Sequence, residues 1–221
     1  MQRINKQAAN DNENLPAGWK KVKLGEVLAE SKERNNKNNY DVVFTISNKQ
    51  GFAVQEEFFG RKLSSKDTSN YKIVQPGYFA YNPARINVGS IALNENSTIG
   101  IISPMYVVFK AKESLLPEYF KYHTQRKLFN NQVIMNTAGT VRESLNYSAL
   151  ETFTFLLPPL PEQERIASVL SQVDAVIEKE TAYRDKLSRI KQGLMEDLLT
   201  GKVRVTALLE NENNQYQKEA L

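Results

Sequence analysis

The chain has 221 residues, 41% of them hydrophobic, with 29 Lys and Arg against 25 Asp and Glu, one histidine and no cysteine. That length and apolar content suit one or two small domains with a real core. No apolar run reaches the roughly 18 residues of a membrane-spanning helix. Disulfides and thiolate metal sites are excluded, and one histidine rules out two-histidine metal spacing.

Charge is unevenly spread. Residues 15–157 carry 18 Lys and Arg against 12 Asp and Glu, residues 158–205 balance at 8 against 8, and residues 206–221 carry 1 against 3. The positive excess therefore sits in the first half to two-thirds of the chain, as expected of a domain that touches phosphates. The polar, Asn-rich opening at residues 1–14 lacks the apolar core of a signal peptide, so a cytoplasmic protein is expected. Residues 1–14 and 206–221 are expected to be disordered polar tails, because they offer too little apolar surface to order alone.

From Leu15 to Leu157 the pattern is one of short strands and turns. Trp19, Val22 and Leu24 alternate as a strand that runs into a short helix from about Gly25. Tyr40–Ser47, Tyr71–Val74, Gly77–Tyr81, Val88–Asn94 and Ile99–Lys110 are β-rich and separated by Pro-Gly, Asn-Pro and Glu-Asn-Ser turn signals. Pro117 suits the first position of a helix continuing through Tyr119, Phe120, His123 and Leu128. Phe44, Phe58, Phe59, Tyr78, Phe79 and Tyr81 are expected in the core rather than as platforms for stacked bases. The expected fold is α+β: a mainly β domain over 15–157, then a proline linker and long helix over 158–205.

That helix is the strongest local signal. Pro161 suits its start, Glu162 and Glu164 suit its positive end, and Gly201 ends it. With heptad position a at Ile166, the a and d positions are Ile166, Val169, Val173, Val176, Glu180, Tyr183, Leu187, Ile190, Leu194 and Asp197. Eight of these ten are apolar or aromatic, which is a coiled-coil seam. From Glu162 to Leu199 the helix spans about 57 Å, longer than a domain of this size, so most of the seam needs a partner helix.

Catalytic motifs are absent. His123 falls in a helix among Tyr122, Gln125 and Arg126, a packing position rather than that of a base. Gly201-Lys202 lacks the upstream glycine and the Ser or Thr of a phosphate loop, and no Pro-Asp dipeptide of a nuclease signature occurs. Tyr81-Asn82-Pro83-Ala84-Arg85 has some likeness to an amino-methyltransferase site but lacks its second proline and stacking aromatic, and reads as a turn.

Three segments carry a family resemblance: Leu-Pro-Ala-Gly-Trp-Lys at 15–20; Arg85-Ile-Asn-Val-Gly-Ser90 with Ser103-Pro-Met-Tyr-Val-Val-Phe109; and Leu156-Leu-Pro-Pro-Leu-Pro-Glu-Gln-Glu-Arg-Ile166, closing with Leu198-Leu-Thr-Gly-Lys-Val-Arg-Val205. In these the chain resembles a specificity subunit of a type I restriction-modification system, in a half-length form with one target-recognition domain. The resemblance implies a non-enzymatic protein that binds double-stranded DNA and docks a methyltransferase subunit. A restriction subunit would join in the full complex, and no membrane would be involved. It implies no cofactor on this chain, with S-adenosylmethionine and ATP expected on the partners. A second copy is the natural occupant of the seam, giving an antiparallel intermolecular coiled coil and an inverted-repeat site. Ile166, Val169, Val173, Val176, Tyr183, Leu187, Ile190 and Leu194 are the expected interface. A coiled-coil adaptor or inhibitor acting on the methyltransferase is the alternative.

Base-edge reading needs Arg, Lys, Asn or Gln on loops, and phosphate contact needs well-placed donors. Four stretches supply them: Asn48, Lys49 and Gln50; Arg61, Lys62 and Lys66; Asn82, Arg85 and Asn87; and Thr140 with Arg142.

Overall fold

A computed structural model of the chain describes residues 15–48, 51–137 and 144–206. The chain divides into two compact units, Met1–Ser168 and Val169–Leu221. Among the described residues no helix is long and apolar enough to cross a membrane.

Among the described residues the first unit holds ten strands. They are β1 (Lys20–Lys23), β2 (Leu28–Ser31), β3 (Val43–Ser47), β4 (Gly51–Val54), β5 (Lys72–Val74), β6 (Tyr78–Tyr81), β7 (Ile91–Leu93), β8 (Gly100–Ile102), β9 (Val107–Ala111) and β10 (Thr154–Leu157). Five helices accompany them: α1 (Leu24–Val27), α2 (Gln55–Phe59), α3 (Pro117–Thr124), α4 (Lys127–Thr137) and α5 (Tyr147–Leu150). A long helix, α6 (Leu160–Leu199), begins in the first unit and runs through the second.

Strand order is β2-β9-β6-β7 in one four-stranded sheet and β4-β3-β8-β5 in another, with β1-β10 as a separate antiparallel pair. Among the described residues only the β3–β8 pairing is parallel. β6 is buried on both faces, and its sequence Tyr-Phe-Ala-Tyr shows why. Phe79 and Tyr81 point into a core shared with α3, α4 and α5, where they meet Phe109, Phe120, Phe129, Leu145 and Leu150. Ala80, one residue out of phase, points to the other sheet and packs with Phe44, Ile46, Phe52, Val74, Ile102 and Val108. The small residue on this face lets the two sheets approach. Gly100 serves the same contact, since a Cβ there would lie 2.2 Å from the Phe44 ring.

Several elements differ from expectation. The single helix expected through Leu128 is two, broken at Gln125–Arg126. The β-rich stretch 99–110 is two strands in different sheets, divided by a turn in which Tyr106 N donates to Ser103 O at 3.0 Å. Of the β-rich stretch Val88–Asn94, Ile91–Leu93 is strand, whereas Val88 ends a 3-10 turn over Ile86–Val88 closed by Gly89 at φ 89°. Phe44, Phe79 and Tyr81 are core, and Tyr78 is half-buried against the second cluster. Phe58 and Phe59 are not core: they stand 44% and 47% exposed, in edge-to-face contact at 4.9 Å. A five-residue helix cannot turn two adjacent side chains toward one core when nothing packs over it.

The root of α6 is held by buried polar contacts. Gln163 is fully buried; its Oε1 accepts from Leu116 N at 2.8 Å, and its Nε2 donates to Ser114 O at 3.0 Å and to Pro158 O at 2.9 Å. All of its main hydrogen-bonding capacity is thereby used, which makes its burial stabilising rather than costly. Trp19 Nε1 donates to Glu162 Oε2 at 2.9 Å, tying the start of the domain to the helix. Ala167 is buried, and Ile166 is half-buried against the main core. Ile166, expected in the intermolecular seam, therefore belongs to its own domain. From Val169 to Leu199 every helix residue is exposed except the half-exposed Asp197. The helix ends at Gly201, φ 73°, whose N–H donates to Leu198 O; Val203 N donates to Asp197 O at 2.9 Å, and Lys202 pairs with the Asp197 carboxylate at 3.0 Å.

His123 lies in the aromatic core, its ring 4.8 Å from that of Phe155 and stacked on Phe120 at 6.0 Å. Burial, with Arg126 adding to it, pushes its pKa from 6.5 down to about 4. A depressed folded-state pKa means that the unfolded chain binds the proton first. The His123 contribution is thus fully present above pH 6.5 and is lost as pH falls toward 4. Denaturation between these values should show a loss of up to about 3 kcal/mol from this group. His123→Phe should flatten that part of the profile; an unchanged slope would show that the histidine is not held neutral.

Candidate nucleic-acid interface

The β3–β4 hairpin carries the first expected stretch at its turn. Asn48 is exposed, and its Nδ2 donates to Val88 O at 2.5 Å. This bond joins the hairpin turn to the 3-10 segment that holds Arg85 and Asn87. Lys49 and Gln50 lie outside the described residues.

The third stretch is built around a local turn. Asn82 is only 8% exposed; its Oδ1 accepts from Ala84 N at 3.1 Å, and its backbone N donates to Ser90 O. Asn82 therefore serves the turn itself, an Asx-type device, rather than standing free for a ligand. Arg85 N donates to Asn82 O, and Arg85 O accepts from both Val88 N and Ser90 N. The backbone at Arg85 is thus fixed while its side chain is exposed. Among the described residues its guanidinium forms no ion pair. Asn87 is half-buried beside it.

Thr140 and Arg142 lie outside the described residues, but the chain on their C-terminal side is anchored at this same place. Leu145 N donates to Pro83 O at 3.0 Å, and Asn146 Oδ1 caps α5 by accepting from Ala149 N at 2.8 Å. The first and third stretches and this flank of the fourth thus share one neighbourhood.

The second stretch stands apart. Ser47 pairs with Gly51 at the turn end of the hairpin, whereas Phe44 pairs with Val54 at the other end, about 10 Å away along the strands. α2 and then Arg61, Lys62 and Lys66 follow from that far end. All three cations are exposed. They share the segment with Glu56, Glu57 and Asp67, so its charges largely cancel. The Asp67 carboxyl is held below its usual range by the hydrogen bond from Ser69 N. The exposed Phe58–Phe59 pair borders this stretch.

What the neighbourhood of Asn48, Arg85 and Asn87 offers is donors on a rigid frame: an exposed guanidinium and amide side chains set on turns. Such groups suit base edges and phosphates. Among the described residues no three His, Asp or Glu side chains gather as metal ligands. Two features escaped sequence reading. The Tyr81 and Tyr147 hydroxyls are buried without a hydrogen-bond partner among the described residues, and burial raises both pKa values, with Glu30 adding to it at Tyr81 and Glu151 at Tyr147. Lys72, half-buried, donates to Tyr106 O at 2.7 Å, and burial lowers its pKa.

Residues 16–189 match the family described as type I restriction modification DNA specificity domain. The chain belongs to this family. It is 22% identical over 200 residues to a putative type I restriction enzyme MjaX specificity subunit of Methanocaldococcus jannaschii, covering 84% of this chain and 46% of that protein. Among solved structures, it resembles the HsdS subunit from Thermoanaerobacter tengcongensis with a TM-score of 0.60 and 22% identity, over 84% of this chain and 49% of that one. A chain from a structure of a type I restriction-modification system matches at a TM-score of 0.56 and 19% identity, over 88% and 50% of the two chains. This member of the specificity family thus spans about half the length of the relatives it matches.

The two kinds of residue in the Asn82–Asn87 segment are separable by experiment. Asn82→Ala should cost about 1 kcal/mol of folding stability through loss of the turn. Arg85→Ala should leave stability within about 0.5 kcal/mol, as exposed substitutions do. Chemical denaturation reads both; a large loss for Arg85→Ala would mean that its side chain supports the fold.

Proposed function

We propose that this specificity-family chain is the non-catalytic, sequence-specific DNA-recognition subunit of a type I restriction-modification complex. Its first unit reads duplex DNA through the Asn48, Arg85 and Asn87 neighbourhood, and α6 pairs antiparallel with α6 of a second copy. Two identical readers related by a two-fold axis address an inverted repeat. The pair docks methyltransferase subunits, which bind S-adenosylmethionine. In the full complex a restriction subunit uses ATP.

The observation that carries this reading is the uncovered seam of α6. Val169, Val173, Val176, Tyr183, Leu187, Ile190 and Leu194 are all 46% exposed or more. Contiguous apolar surface of this kind marks an interaction site, and its heptad spacing fits another helix. The positive excess of residues 15–157 and the exposed Arg85 guanidinium support phosphate and base contact.

The test uses the double substitution Val176→Glu and Leu187→Glu. Sedimentation should show dimers for the parent chain and monomers for the variant, with the β domain still folded. The parent chain, alone or with its methyltransferase subunit, should bind an inverted-repeat duplex. Its affinity should fall about 10³-fold between 50 and 200 mM salt. Dimers that survive both charges would place the interface elsewhere. DNA binding that ignores salt would reject the DNA-reading role.

A further inference from the structure

The seam has a centre of its own. Ile166 is taken by the domain core, and Asp197 is taken by Lys202, with its backbone carbonyl bound by Val203 N. The free a and d positions therefore run from Val169 to Leu194. An antiparallel pair whose ends match sets Val169 against the partner's Leu194, Val173 against the partner's Ile190 and Val176 against the partner's Leu187. The two-fold axis then falls between Thr181 and Ala182. At this register the one acidic residue of the free seam, Glu180, faces the partner's Tyr183.

We infer that reciprocal Glu180–Tyr183 layers beside the two-fold axis fix the register and direction of the α6 pair. The inference rests on the proposal that a second copy covers the seam. The chemistry of the layer is specific: the Tyr183 hydroxyl of one copy donates to the Glu180 carboxylate of the other, twice by symmetry. A hydrogen bond to a charged acceptor is the stronger kind. A slip of one heptad in either direction sets Glu180 against Ile190 or Val176 of the partner, stranding a carboxylate on an aliphatic side chain. Parallel pairing sets Glu180 against its own copy, two like charges at the seam. Every competing arrangement is penalised at the same residue, as when a single polar seam residue specifies a coiled coil at some cost in stability. The chosen register also brings Lys179 near the partner's Lys186. That like-charge pair lies on the solvated flank, where screening leaves it small.

The two coincidences are independent. One comes from which ends of the seam the chain itself uses up. The other comes from where its polar residues fall.

The chain has no cysteine, so Ser171→Cys or Gln192→Cys each gives one unique spin-labelling site. In the inferred register each label lies about 32 Å along the axis from its own copy, at a rise of 1.5 Å per residue. Dipolar spectroscopy on the full-length chain should therefore return matching distances for the two sites. A one-heptad slip would instead give axial offsets of about 21 and 42 Å, and parallel pairing two equal short distances. Either result overturns the register while leaving the second copy in place. Loss of all intermolecular coupling at concentrations that saturate association overturns the register together with the reading it rests on. Tyr183→Phe, which removes only the hydroxyl, should weaken the dimer about tenfold or more. Glu180→Leu with Tyr183→Leu should still dimerise but lose the single distance, giving several. A double variant that keeps one sharp distance would show that the layer does not set the register.

Discussion

An apolar stripe is costly to leave in water, and this chain exposes one along α6 from Val169 to Leu194. Everything else in the molecule is arranged around that constraint. The β domain satisfies itself through two clusters on opposite faces of β6. α6 satisfies itself only for its first two turns, where Gln163, Ile166 and Ala167 are taken in by the domain. Beyond them the hydrophobic effect favours a second helix on the seam, and the burial of such side chains is worth about 1.5–3 kcal/mol each.

The buried glutamine fixes the root of α6 within the first unit. Its side chain joins Ser114, Leu116 and Pro158, three points on the loop before α3 and the turn after β10. A polar group buried with every partner present is rigid, because any displacement leaves donors and acceptors unpaired. With Trp19 bound to Glu162 as well, the helix start is positioned by the domain rather than tethered to it.

Legibility in the sequence followed the strength of local periodicity. The 3.5-residue repeat of α6 made its extent readable, and seven of the eight expected seam positions stand exposed on the helix. Ile166 was the exception, since its burial depends on β strands far away in sequence. Pro117 marked the start of α3 correctly because proline carries its own conformational reason. β2, β4 and β10 were missed: each is four residues long, too short to show a clear alternation. Phe58 and Phe59 looked like core from composition, but core membership is decided by what packs over a helix, which no local pattern reveals. Asn82 shows the same limit at the interface. Residue type nominated it as a reader, whereas the turn it closes uses its side-chain oxygen. Arg85, three residues on, is left exposed by that same turn.

Hydrogen exchange across α6 tests the central claim most directly. Amides of a single exposed helix exchange at nearly the rate of local fraying, while those of a paired helix open only when the pair does. If a second copy covers the seam, amides between Val169 and Leu194 should be strongly protected, and protection should rise with protein concentration. Rapid exchange of the same amides at every concentration, with the β domain protected as usual, would contradict the account.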